Sequence, residues 1–406
     1  MNKFAKISLV ASLAIAGLSA SAQAADTLAD AFANGKLSGA VKVYHFAQSF
    51  DGAGKNDSKL TTAGGHLTYV TDEVRGLSFG ATLQTSNVLK KDDIDGKTKT
   101  TLDSQGAVLS ESYINYKISN TNFKLGRQFV KTPLVAGSGS RLIKEAFEAY
   151  MVTNTDLPDT TISLAKITKY QQRTDFTTTS PYTSANPNAS GGVGTFMKIG
   201  EDGIDTIYIK NNSISNLTTQ LQYAVADKIA DLLYIDAVYK FDGDLKPFVA
   251  AQYFDTDWDA AASKDASMYG LKIGVNVAGV SLFAGYNSTN GESGDAGVAR
   301  GLGQGAYSNY TATTKTAGAG AFAAGTDSYQ VGAAYNFNKA FKTKLRYSSF
   351  DNPTANADLD ETTLNLEYKF GGALKNLKAQ IDYSILDYEN NTNDATDLRS
   401  RLIYSF

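Results

Sequence analysis

Large apolar and aromatic residues recur at every second position through much of the chain, and stretches with helical spacing are scarce. Leu77-Ser-Phe-Gly-Ala-Thr-Leu83, Leu217-Thr-Thr-Gln-Leu-Gln-Tyr223 and Tyr269-Gly-Leu-Lys-Ile-Gly-Val275 show the pattern, as do Tyr329–Tyr335, Leu364–Phe370 and Leu377–Tyr383. Each predicts a β-strand with one apolar face and one face of Gly, Ser, Thr, Gln, Asn or charge. The final segment repeats it, with Leu398, Ser400, Leu402, Tyr404 and Phe406 on one side and Asp397, Arg399, Arg401, Ile403 and Ser405 on the other. Core strands of a soluble sandwich also alternate, but a protein core would not tolerate Lys272, Glu367 or Asp382 unpaired. A water-filled lumen would.

The connectors alternate between short and long. Short ones are Ser119–Thr121, Asn212–Asn216, Asp242–Leu245, Ala278-Gly279, Asn338–Ala340 and Gly371–Lys375. Longer ones run about Asp51–Lys59, Asn87–Gln105, Lys131–Ser140, Arg173–Asp202, Thr256–Ala266, Thr289–Thr326 and Asp351–Leu359. Short turns on one side and long loops on the other are the habit of transmembrane barrels. The fold class expected is therefore all-β, a transmembrane antiparallel up-and-down β-barrel of about 18 strands. Sixteen is the alternative, because the connection at Ala226–Ala230 is oddly short for an outer loop.

Both ends fit an exported chain. Asn2, Lys3 and Lys6 precede an apolar stretch from Ile7 to Leu18, and Ala22-Gln23-Ala24 matches a small-residue cleavage site. Residues 1–24 are expected to be a cleaved signal peptide and residues 25–406 a single barrel domain. A terminal strand ending in Phe406 resembles the signal by which the barrel-assembly machinery recognises its clients. The chain has 23 Tyr and 20 Phe against 6 Pro and no Cys, a composition suited to long strands and aromatic girdles rather than disulfides or thiolate metal sites. The formal charge of −3 gives no basic bias toward nucleic acid.

From Ala107 the text becomes specific. Ala107-Val-Leu-Ser-Glu-Ser-Tyr-Ile-Asn-Tyr116, Leu125-Gly-Arg-Gln128, Thr132-Pro133, Ser140-Arg-Leu-Ile143 and Ala146-Phe-Glu148 resemble, in order and spacing, the OprD family of outer-membrane porins. Leu77–Ala81 and Asn154-Thr-Asp-Leu-Pro158 are similar to the same family's strand and turn patterns. The resemblance implies an eighteen-stranded barrel in a Gram-negative outer membrane, narrowed by its third loop and passing small water-soluble nutrients, many of them carboxylates, along a basic wall. It carries Arg141 over as the loop arginine, whereas Gly137-Ser-Gly-Ser140 stands where the family commonly has an acidic pair. The Thr/Tyr-rich, arginine-poor style is also similar to the major outer-membrane porins of the Campylobacter group, which tend to favour cations. The partners expected are small solutes and ions and outer-membrane lipid, with a homotrimer left open.

Strand phase sorts the lumen charges. Phe341, Thr343, Leu345 and Tyr347 face out, so Lys342, Lys344 and Arg346 face in. The same argument turns Lys369, Lys378, Arg399 and Arg401 inward, with Lys42, Lys240 and Lys272. The inward acids are Glu111, Glu148, Asp236, Glu367 and Asp382; Arg127 takes no clear side. The basic residues gather on the last strands, a one-sided ladder that would bias passage toward anions. The competing reading is of solvated charges paired locally with Glu367 and Asp382.

Other chemistries are thin. His45 lies in phase with the lipid-facing Val41 and Val43, and His66, though inward, has no nucleophile motif beside it, so no catalytic site is expected. Gly301-Leu-Gly-Gln-Gly305 has the wrong spacing for a phosphate loop. This glycine-rich stretch, Gly301 to Gly325, and Thr177 to Gly194 read as flexible, solvated loops. Asp92, Asp93, Asp95 and Gly96 only echo a calcium loop; Asp255, Asp257 and Asp259 could share a divalent cation but read better as solvated loop ends. No cofactor or metal is expected. The alternative to a channel is a structural or adhesive barrel working through its surface loops.

Overall fold

A computed structural model describes residues 25–52, 55–93, 105–173, 195–260, 263–306, 308–313, 320–354, 357–390 and 393–406. The proposed signal segment, the low-complexity tract from Thr177 to Gly194, and Asp95 and Gly96 lie outside them.

A short helix, α1 (Leu28–Ala33), is capped by the Thr27 hydroxyl, which accepts from the Asp30 amide. The strands follow: β1 (Lys36–Phe50), β2 (Ser58–Val70), β3 (Leu77–Asp93), β4 (Gly106–Ile118), β5 (Thr121–Gln128), β6 (Ala146–Asn154), β7 (Thr160–Gln171), β8 (Phe196–Lys198) and β9 (Ile204–Asn211). Then come β10 (Leu217–Ala226), β11 (Ala230–Lys240), β12 (Phe248–Trp258), β13 (Ala266–Val277), β14 (Val280–Thr289), β15 (Asp327–Asn336), β16 (Phe341–Asp351), β17 (Leu359–Lys369), β18 (Leu377–Tyr388) and β19 (Ala395–Ser405). Apart from β8 and β9, which both pair with β7, each pairs antiparallel with its neighbours in sequence, and β1 closes on β19 from Ala40↔Ser405 to Phe50↔Ala395. Phe406 extends the seam by exchanging backbone hydrogen bonds with Gly39 at 3.0 and 2.9 Å.

The barrel has eighteen staves because β8 and β9 are two parts of one. β7 pairs with β9 from Thr160↔Asn211 to Ile167↔Ile204, and with β8 above it at Lys169↔Lys198 to Gln171↔Phe196. The tight Asp227–Ile229 turn joins β10 to β11 on the long-loop side, so eighteen, not sixteen, is the count. None of the helices among the described residues is long and apolar enough to cross a membrane; the strands cross.

The outer face is apolar and bounded by aromatics. Val41, Leu125, Ile235, Leu271, Ile273, Val331 and Leu345 are exposed there, facing lipid. At the short-turn end, four strands finish with the same Tyr-x-Phe pattern: Tyr239/Phe241, Tyr335/Phe337, Tyr368/Phe370 and Tyr404/Phe406. Phe406 thus occupies a girdle position found inside the chain as well. At the other end Tyr223, Tyr253, Tyr286 and Tyr347 donate to Asp231, Asp255, Asp327 and Asp360, anchoring the ring where apolar surface meets water.

The buried apolar cluster lies inside the barrel and to one side. Val130, Leu134, Val135 and Phe147, at and around the third loop, pack with Val298, Ala299, Leu302 and Phe322 of the seventh loop. Both groups rest on Ile167, Ala224, Leu232, Tyr234 and Phe254 of the β7–β12 wall. Two loops filling that side leave the passage against the opposite wall, formed by β1 and the last strands.

Candidate functional site

The third and seventh loops join where Val135 and Leu302 form a parallel bridge. The Leu302 amide donates to the Leu134 carbonyl at 2.8 Å, and the Ala136 amide donates to the Leu302 carbonyl at 3.0 Å. Glycine permits this approach. Gly301 and Gly303 have φ of +92° and +89°, and a Cβ on either would stand 2.3 Å from the carbonyl oxygen of Leu134 or Ala136. Residues 301–306 are therefore a packed part of the lumen, correcting the reading of the whole glycine-rich stretch as a free surface loop.

Polar side chains fix both loops to the wall. The Gln222 carbonyl accepts from the Leu134 amide at 2.8 Å, and Gln84 exchanges hydrogen bonds with the Lys144 backbone at 2.8 and 2.9 Å. Thr256 accepts from the Ala299 amide at 3.0 Å. Glu111, on β4, accepts from Thr82 and the Phe129 amide and faces Lys124 at 3.6 Å. It supports the start of the third loop.

Between these loops and the β1/β18/β19 wall lies a cavity of about 540 Å³. Its wall side carries Lys42, Tyr44, Gln380, Asp382, Arg399 and Arg401; its loop side carries Ser138, Ser140, Arg141, Arg173 and Gln304. A hydrogen-bonded belt crosses five neighbouring strands here, one residue from each. Arg346 on β16 donates to Asn365 on β17 at 3.0 Å, and Asn365 donates to Asp382 on β18 at 2.6 Å. Arg401 on β19 bridges Asp382 at 2.6 Å and the Tyr44 hydroxyl of β1 at 3.1 Å. Arg141 reaches the same hydroxyl from the third loop at 3.4 Å. The belt exists because each residue has the inward phase of its strand at nearly the same height.

The remaining predicted residues lie above or below it. Arg399 is buried against Asp397 at 2.7 Å. Lys344 and Lys272 flank Phe283, their ammonium groups 4.9 and 5.0 Å from its ring centre. Toward the short-turn end, Glu367 faces Lys378 at 3.5 Å and Lys369 at 4.0 Å, accepts from Gln380, and stands opposite Lys342 in register. The ladder is therefore partly paired: local ion pairs hold its lower rungs, and the belt and cavity take up the middle. Among the described residues, no group of three or more His, Asp or Glu side chains is arranged to hold a metal ion.

Glu148 is a correction. It was expected in the lumen, but Phe147 and Ala149 are fully buried inside, and Glu148 shares the outer phase of the exposed Tyr150. There it faces Lys169 at 3.0 Å and stands in register with Arg127. Arg127, which took no clear side, is in phase with the outward Leu125 and lies over the Phe196 ring at 4.2 Å. The inward aromatic Phe147 serves the inserted loops, and an aromatic alone does not distinguish such packing from lipid contact. Tyr44, Arg173 and Gln304 were missed. Strand phase could have found Tyr44 beside Val43; Arg173 and Gln304 lie outside regular strands, where alternation carries no information.

A closed barrel with aromatic girdles, two loops folded into its lumen and a charged constriction defines a transmembrane channel. The family model for outer membrane porins of the OprD family matches residues 77–406, and the chain belongs to that family. It is a porin of a Gram-negative outer membrane and not an enzyme. Among solved structures it is similar to Pseudomonas aeruginosa OccK9 (OpdG), with 20% identity, 93% of this chain and 99% of that one covered, and a TM-score of 0.76. Acinetobacter baumannii OccAB4 is 18% identical over 92% and 98%, with a TM-score of 0.75. Pseudomonas aeruginosa OpdK with vanillate is 16% identical over 92% and 99%, with a TM-score of 0.72. At these identities the likeness is one of fold. No curated protein matches the sequence.

Proposed function

We propose that this porin passes small hydrophilic solutes and favours those bearing a carboxylate, which cross the constriction on the face shared by Arg141, Arg399, Arg401 and Lys42. The observation that carries this reading is the charge around the cavity: five cationic side chains line it, Lys42, Arg141, Arg173, Arg399 and Arg401, against the single carboxylate of Asp382. Guanidinium groups match a carboxylate in two-point geometry and remain charged at any working pH. A solute anion can exchange one contact for the next along the belt, entering and leaving without a deep well. The vanillate in the OpdK structure, a small aromatic carboxylate, is in keeping with this solute class.

The experiment is solute uptake by proteoliposomes. Small mono- and dicarboxylates should enter faster than neutral sugars of equal size, with the advantage shrinking as salt is raised. Equal rates for charged and neutral solutes at low salt would leave a channel without the preference.

A further inference from the structure

Glu145 does not line the cavity, yet Ser138, Arg173 and Gln304, which do, are tied to it directly, and Ser140 and Arg141 are tied to it through Arg173. It is fully buried. One carboxylate oxygen accepts both the Ser138 amide of the third loop at 2.8 Å and the Gln304 amide of the seventh at 2.9 Å. The other accepts the Tyr170 hydroxyl of β7 at 2.5 Å and faces the Arg173 guanidinium at 3.9 Å. Arg173 in turn donates to the Ser138 and Ser140 hydroxyls at 2.6 and 3.0 Å, and Arg141 donates to Ser140 at 3.1 Å. Two loops far apart in sequence thus share one acceptor atom, and the wall holds the same carboxylate through its other oxygen.

We propose that Glu145 is the positioning residue of the constriction: its carboxylate locks the third and seventh loops into one body and sets where Arg141, Arg173 and Gln304 stand. The need for this follows from the sequence. Ser138 to Ser140 is Ser-Gly-Ser, and Gly301, Gly303 and Gly305 interrupt the seventh loop, so neither segment holds a fixed shape through its own backbone. A buried carboxylate accepting several hydrogen bonds supplies the rigidity, since losing it strands donors away from water. The inference rests on the anion-favouring reading of the cavity only for the sign of its charge effect.

Glu145→Ala and Glu145→Gln separate position from charge, because both remove one negative charge but Gln keeps a carbonyl that can accept the two amides. Planar-bilayer recordings of folded protein, checked by heat-modifiable gel migration, should show the same shift of reversal potential toward anions in both variants. Only Glu145→Ala should show a severalfold rise in open-channel noise and a larger conductance, with Glu145→Gln close to wild type. Tyr170→Phe, which removes only the hydroxyl donor, should raise the noise in the same direction and keeps the test open if Glu145→Ala fails to assemble. Quiet traces in Tyr170→Phe together with quiet or unobtainable ones in Glu145→Ala overturn the lock. Noise without any shift of reversal potential keeps the lock and shows that the buried charge itself is not felt in the passage.

Discussion

Replacing Arg401 with Gln tests the belt at its centre. The arginine is mostly enclosed: its guanidinium donates to Asp382 at 2.6 Å and Tyr44 at 3.1 Å, lies 4.7 Å from the Tyr44 ring centre, and its side chain keeps 14% of its surface exposed. Gln removes one positive charge and leaves Asp382 with Asn365 as its remaining belt partner. For an anion passing about 4 Å from the changed charge, the lost interaction is about 1 kcal/mol in bulk-like water and up to about 4 kcal/mol near a protein surface. Taking the lower figure, the preference for anions should fall about fivefold at low salt, and most of that change should vanish near 1 M salt, where the screening length is about 3 Å. Asp382→Asn changes the same pair with the opposite sign and should shift selectivity toward anions. The assay is the reversal potential under asymmetric KCl at low and high ionic strength. Equal reversal potentials for wild type, Arg401→Gln and Asp382→Asn at low salt would refute the reasoning, because no arrangement of the belt makes all three equivalent.

Other outcomes follow from single contacts. Arg399→Gln removes the guanidinium that the buried Asp397 faces at 2.7 Å, and should destabilise the barrel by about 3–5 kcal/mol; Asp397→Asn in the same chain should recover much of this, read as the temperature of heat-modified migration. Gly301→Val should push the seventh loop from the third, since a Cβ there meets the Leu134 carbonyl at 2.3 Å; larger conductance is expected, and unchanged conductance would show the loops can separate without opening the passage. Deleting Phe406 removes the ring that packs over Gly39 and the two hydrogen bonds that end the seam, so assembly should fall, measured as folded barrel in outer-membrane fractions; normal levels would show that the girdle position is dispensable.

The barrel was legible because its rule is local. Lipid on one side and water on the other impose period two on every stave, so the strands and their inward charges could be read residue by residue. The rule fails where the inside of the barrel is protein rather than water. Phe147, Leu134 and Leu302 are apolar because they pack together inside, which is why Glu148 was assigned to the wrong face. The glycines of the seventh loop read as freedom when they provide close approach to another backbone, a distinction that depends on a neighbour some 165 residues earlier in the chain. Glu145 was hidden for a related reason: a charged residue in a loop has no periodicity, and its partners Ser138, Tyr170 and Gln304 meet only after the loops fold inward.

The central claim is that the cavity between Arg141 and the β18/β19 wall filters the passage and favours anions. The most direct measurement is the zero-current potential of the unmodified channel in a planar bilayer with dilute KCl on both sides at unequal concentrations. The account predicts a potential displaced toward the chloride equilibrium value, shrinking as both solutions are made more concentrated. A potential displaced toward the potassium value would contradict it, whatever the conductance.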